Sequence, residues 1–148
     1  MAEFYFKDLV HRKHVKEKFL VESAATTSEE ICGGRGNPVY PPARRELLAH
    51  GIDPVGKRAR LLTGSDYRHF DHLIGMDDEN LEDMLALFGG DPQGKISLLL
   101  DYVDWERTGC LTPGKARSVA DPWYTRNFQA TWDDVEAGCN ALFSYLGF

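Results

Sequence analysis

Four short apolar runs, Phe19–Val21, Ala59–Leu62, His72–Met76 and Ile96–Leu100, are separated along the chain by segments of helical period. Strands connected through helices cannot pair as simple hairpins, so this alternation predicts an α/β fold with parallel strands. Ala2–His14 reads as a helix through its i,i+4 pairs Tyr5/Leu9 and Phe6/Val10, and His11, Arg12, Lys13 and His14 crowd the end where the helix dipole favours cations. Pro41 and Pro42 start a helix that runs through His50, with Gly51 placed as its C′ glycine. Thr63 and Asp66 form a variant capping box for a short helix. Asp77 caps a helix with Leu81, Met84, Leu85 and Phe88 on one face, stopped by Gly89-Gly90. Phe128, Trp132, Val135, Cys139, Leu142 and Leu146 step by three and four through the last helix. The polar stretches Ala24–Pro42 and Asp101–Pro122 read as long loops. The pattern implies a three-layer, doubly wound parallel sheet, with ligands bound beyond the carboxyl ends of its strands.

The 148 residues suit a single domain, 1–148, with a proper core. A net charge of -6 argues against a nucleic-acid partner, which needs a basic footprint. No apolar run reaches membrane-spanning length, and Met1-Ala2-Glu3-Phe4 has neither region of a signal peptide, so no membrane partner is expected. Cys32, Cys110 and Cys139 are too few and too scattered for a disulfide framework or a zinc site, which predicts a reduced, cytoplasmic protein. His11/His14 and His69/His72 have no evident third ligand, and Gly89-x4-Gly94-Lys95-Ile96 lacks the Ser or Thr of a phosphate-binding loop and runs from helix to strand. No metal or cofactor is expected.

Asp121-Pro122-Trp123-Tyr124 is the segment with chemical content. A phenol leaves a phosphate monoester readily only if an acid protonates it, and a carboxyl can do so. Pro122 fixes the backbone beside Asp121, while Trp123 and Tyr124 can wall an aromatic slot. Taken alone, the tetrapeptide reads equally well as an Asp-Pro turn followed by core aromatics.

Other segments add to it. Ser23-Ala24-Ala25-Thr26-Thr27, Gly36-Asn37-Pro38-Val39-Tyr40-Pro41-Pro42-Ala43 and Phe70-Asp71-His72-Leu73-Ile74-Gly75-Met76-Asp77-Asp78-Glu79-Asn80, in this order with Asp121-Pro122-Trp123-Tyr124, resemble the low-molecular-weight protein-tyrosine phosphatases over essentially the whole chain. The resemblance implies a parallel four-stranded sheet of the phosphotyrosine phosphatase I-like kind and hydrolysis of a phosphotyrosyl protein or aryl phosphate. It implies that Asp121 is the general acid and later the base that activates water against a phosphocysteine. Trp123 and Tyr124 would line the substrate slot, and Ser23 would brace the phosphate loop. Asp77 and Asn80 would cap a helix near it. For Ser23, Asp77 and Asn80, plain capping or turn roles fit as well. Where the family often supplies the slot's opposite wall, this chain has Ser28-Glu29-Glu30-Ile31 and then an apparent insertion, Cys32-Gly33-Gly34-Arg35, which puts substrate preference in doubt.

The family's nucleophile lies in a Cys-x5-Arg-Ser/Thr loop after its first strand, and Met1-Ala2-Glu3 resembles the residues on the C-terminal side of that loop. Among these residues, Cys32 precedes Arg35 by too little, Cys110-x6-Arg117-Ser118 is one residue too long, and Cys139 falls on an apolar helix face. With the central first strand missing, the chain as written is expected to be inactive. It should be poorly folded, rearranged, or a homo-oligomer or strand swap in which a partner strand fills the gap. A non-catalytic binding module is the alternative from another class. An arsenate reductase or phosphoarginine phosphatase on the same fold is the third reading.

Overall fold

The computed structural model describes residues 1–148. Helix α1, Ala2–Arg12, ends before the predicted His14, which adopts φ 57° and turns the chain away. Its Tyr5, Phe6, Leu9 and Val10 are buried, as the i,i+4 pairs require. A hairpin of β1, Ile31–Cys32, and β2, Arg35–Gly36, follows within the first long loop. Gly33 and Gly34 both have positive φ, the conformation a two-residue hairpin turn demands and glycine supplies without strain. Helix α2, Pro41–Ala49, has prolines in its first turn, and α3, Asp66–His69, is a single turn.

The parallel sheet consists of β3, Leu73–Gly75, and β4, Ile96–Leu98, in register Leu73↔Ile96 and Gly75↔Leu98. The crossover between them is α4, Asp78–Phe88, which is stopped by Gly89 at φ 70°. Asp91 fixes the return: its carboxylate accepts from the N–H groups of Lys95 and Ile96 and from the Tyr67 hydroxyl. Helix α7, Phe128–Tyr145, is the longest element and buries Trp132, Val135, Cys139, Leu142 and Phe143.

Two expected strands take another form. Phe19 is extended (φ -128°, ψ 132°), but no backbone hydrogen bond engages Leu20, Val21 or Glu22. Ala59–Leu62 contributes one parallel bridge, Ala25↔Leu61. A strand is defined by a ladder, and neither run forms a continuous one. A third expectation is corrected outright. Asp101–Pro122 is not loop throughout, because it opens with α5, Asp101–Thr108. That helix starts where the buried Asp101 carboxylate accepts the Leu98 N–H, a local contact that hydrophobic periodicity does not reveal.

Between α1, α5 and α7 lies the main apolar core, which includes Tyr5, Leu9, Leu99, Tyr102, Trp132 and Val135. A smaller cluster, Leu73, Met84 and Ile96, sits between α4 and the sheet.

Candidate active site

The site begins at the carboxyl end of β3. There the Met76 carbonyl accepts the Val119 N–H at 2.8 Å, pinning the segment that leads to Asp121. Met76 N–H donates to Asn80 Oδ1 at 3.1 Å, and the Asp77 carboxylate accepts from Asn80 N–H at 2.7 Å. Asp77 and Asn80 therefore join the strand end to the first turn of α4, with the geometry of an N-cap. Farther on, Thr131 Oγ1 donates to the Ala120 carbonyl at 2.6 Å, so α7 holds the residue immediately before Asp121.

Asp121 is the N-cap of α6, Pro122–Thr125, and its carboxylate accepts the Trp123 N–H at 2.8 Å. Pro122 occupies the first helical turn, where its missing N–H costs nothing. This capping aims the carboxyl along α6 and next to the aromatic pair. Trp123 and Tyr124 are 60% and 82% exposed, so neither ring is a core residue.

Trp123 has a facing ring that the sequence reading missed. Tyr40 lies 5.2 Å from it, centroid to centroid, at 59°, and also approaches Phe128 at 6.4 Å. Tyr40 is the residue before the Pro41-Pro42 start of α2, and that helix start sets its position. It packs directly against Trp123 and steadies that ring, while the Ser28–Ile31 stretch places no aromatic ring beside it. The available signal was an exposed aromatic immediately before a helix-initiating proline pair.

Ser23 stands against the first turn of α1. Its hydroxyl donates to Glu3 Oε2 at 2.5 Å, and Glu3 also meets Lys7 at 2.5 Å and Lys57 at 2.9 Å. Burial pushes the Glu3 carboxyl up, but the hydrogen bonds from Lys7, Ser23 and Lys57 outweigh it and hold the carboxyl below its ordinary range. Ser23 is thus tied to α1 and is not brought together with Asp121 by any shared contact. Glu3 was also missed, since a single Glu in a helix's first turn carries no sequence mark of burial.

Asp101 is the other missed residue. Besides Leu98 N–H, it accepts the N–H groups of Gly114 (2.6 Å), Lys115 (3.0 Å) and Ala116 (2.9 Å), which folds the following loop back against β4.

Two open clefts, of about 390 Å³ around Lys7, His11, Phe19 and Leu20 and about 520 Å³ around Arg60, Ser65, Arg68 and His69, lie apart from Asp121. No group of three or more metal-ligating side chains converges anywhere. All three cysteines are free thiols. Cys139 is enclosed under α1, and burial pushes its thiol up to about 12.

A sequence profile of the low molecular weight phosphotyrosine protein phosphatases matches residues 1–147. The chain is 31% identical over 146 residues to the low molecular weight protein-tyrosine-phosphatase YfkJ of Bacillus subtilis, covering 99% of this chain and 86% of that one. It is 29% identical to the low molecular weight phosphotyrosine protein phosphatase of Homo sapiens, with 96% and 84% covered. The crystal structure of YfkJ superposes with a TM-score of 0.84 at 30% identity, over 98% of this chain and 84% of that one. That of the low molecular weight protein tyrosine phosphatase from Streptococcus pyogenes superposes with a TM-score of 0.78 at 29% identity, over 99% and 83%. With the profile spanning nearly every residue and the fold superposing throughout, this chain belongs to the low molecular weight phosphotyrosine protein phosphatase family.

Proposed function

We propose that this chain provides the acid and the aromatic slot of a phosphotyrosine phosphatase. The observation that carries the reading is Asp121 capping α6 directly before the exposed Trp123 and Tyr124, with the Trp123 ring braced by Tyr40. An aryl group seated against Trp123 and Tyr124 places its ester oxygen near a carboxyl that can protonate it. As a cysteine thiolate forms its S–P bond, the P–O(aryl) bond breaks and the Asp121 proton goes to the leaving phenolate. Asp121 then takes a proton from water as the S–P bond gives way, releasing inorganic phosphate. The substrate is a phosphotyrosyl protein or an aryl phosphate.

The nucleophile is not among Cys32, Cys110 and Cys139. Cys139 is buried with a raised pKa, and none of the three stands five residues before an arginine, the spacing that wraps backbone N–H groups around a phosphate. The 148 residues assayed as they stand are therefore inactive. The open edges of β3 and β4 leave room for the two further strands of a four-stranded sheet. Three free thiols support a reducing, cytoplasmic setting.

The test is to join a strand and a Cys-x5-Arg-Ser loop ahead of Met1 and compare phosphotyrosine, phosphoarginine and arsenate as substrates. Phosphotyrosine hydrolysis that collapses in Asp121→Asn is expected. Arsenate or phosphoarginine turnover without phosphotyrosine hydrolysis would overturn the reading, and failure of all three would favour a binding module.

A further inference from the structure

One ion pair stands beside the segment leading to Asp121 and has no part in the core. Arg117 Nη1 donates to Asp134 Oδ2 at 2.8 Å, and Nη2 donates to Asp134 Oδ1 at 2.5 Å, so the guanidinium and carboxylate meet fork to fork. The same Asp134 Oδ2 accepts the Ala120 N–H at 3.2 Å. Arg117 Nη1 also donates to the Ser118 carbonyl at 3.2 Å. Asp134 thus grips the segment twice, at Arg117 and at Ala120, and the second grip is adjacent to Asp121.

The geometry is asymmetric in a useful way. The Arg117 side chain is 67% exposed, while that of Asp134 is only 12% exposed and grows from α7, an eighteen-residue helix packed on the core. The carboxylate is the fixed partner and the loop is the guest. Hydrogen bonds from Arg117 hold the Asp134 carboxyl below its ordinary range, as expected for a partner ionised whenever the pair is formed. An exposed pair on a helix surface contributes little. This one differs because it is bidentate, its acid is mostly enclosed, and the acid also holds a backbone N–H. Downstream, α6 ends at Arg126, with φ 56°, and α7 begins at Phe128. Asp121 therefore sits between α6 and the contacts that Asp134 and Thr131 of α7 make with Arg117 and Ala120.

We propose that Asp134, through Arg117 and the Ala120 N–H, is a positioning residue that fixes the location of the Asp121 carboxyl relative to α7. It touches no substrate. This inference rests on the reading of Asp121 as general acid for its functional meaning, but its physical content can be measured on the chain itself. A purely structural ion pair would stabilise the fold as a whole; a positioning pair controls order in one segment.

The experiment is backbone relaxation by NMR on the 148-residue chain, comparing wild type with Asp134→Ala and Arg117→Ala. In the wild type, order parameters at Asp121, Trp123 and Tyr124 are expected near the rigid-backbone value of about 0.85. In Asp134→Ala they are expected to fall below about 0.6, while β3, β4 and the rest of α7 keep their values. Arg117→Ala, a change at an exposed side chain, should loosen the same residues less, because the Ala120 N–H keeps its partner. Unchanged order at Asp121–Tyr124 in both single variants would overturn the proposal. So would an equal loss of order throughout the chain. None of these results depends on catalysis, so Asp121→Asn in a nucleophile-bearing chain tests the acid separately.

Discussion

Asp121 is held by its own helix, so its contribution can be removed with little disturbance. In a chain carrying the nucleophile loop, Asp121→Asn is expected to lower kcat by roughly 10²- to 10⁴-fold, the range for loss of a positioned general acid. The loss should shrink for leaving groups more acidic than phenol, which need less protonation. Steady-state rates across a series of aryl phosphates check both points. Tyr40 predicts a different signature. Tyr40→Ala removes the ring packed against Trp123 and should raise KM for aryl phosphates more than it lowers kcat, because a loosened Trp123 weakens aryl binding equally in ground and transition states. Glu3 carries a pH prediction. Its folded pKa lies below the ordinary value of 4.5, so its contribution is fully present above that value and fades as pH falls through the lower folded pKa. Glu3→Gln should lower stability at neutral pH and flatten its acid dependence below about pH 4.5. Denaturant melts across pH 2–7, a range of roughly the carboxylate titration, provide the measurement.

At the scale of elements, the sequence was legible where one face repeats over many turns, but of the α4 face Leu81, Met84, Leu85 and Phe88 only Met84 is buried and Leu85 is exposed. The apolar stripe of the last helix and the Asp77 cap both appear as read, with Asp77 accepting Asn80 N–H. Legibility failed where structure depends on a partner distant in sequence. Phe19–Val21 has strand composition but no ladder, and α5 hid in an acidic stretch whose start is set by Asp101. The turn at Asp121-Pro122 was readable locally and appears as an N-cap, whereas Tyr40 is 83 positions before Trp123 and reaches it only through tertiary packing. Asp101 is the most exacting of the missed residues, since it satisfies four backbone N–H groups at once. Asp101→Ala strands these donors and is expected to destabilise by at least about 3 kcal/mol, read from chemical denaturation. Gly138 sets the approach of α7 to the sheet. A Cβ there would meet Leu99 Cγ at 2.5 Å, so Gly138→Ala should cost about 1–3 kcal/mol despite alanine's better helix propensity.

For the molecule as a whole, the two-stranded parallel sheet leaves backbone donors and acceptors facing outward on both sides. The two apolar clusters are also unequal. The larger joins α1, α5 and α7, while the smaller holds α4 to β3 and β4 with Tyr67 and Phe88 beside it. Trp105, Trp123 and Trp132 all belong to α5, α6 and α7. Indole fluorescence therefore watches one lobe of the molecule. If the α4 lobe opens first on heating, an emission trace will stay flat while far-ultraviolet ellipticity is already falling, and a melting temperature taken from the light alone will overstate how long the whole chain stays folded.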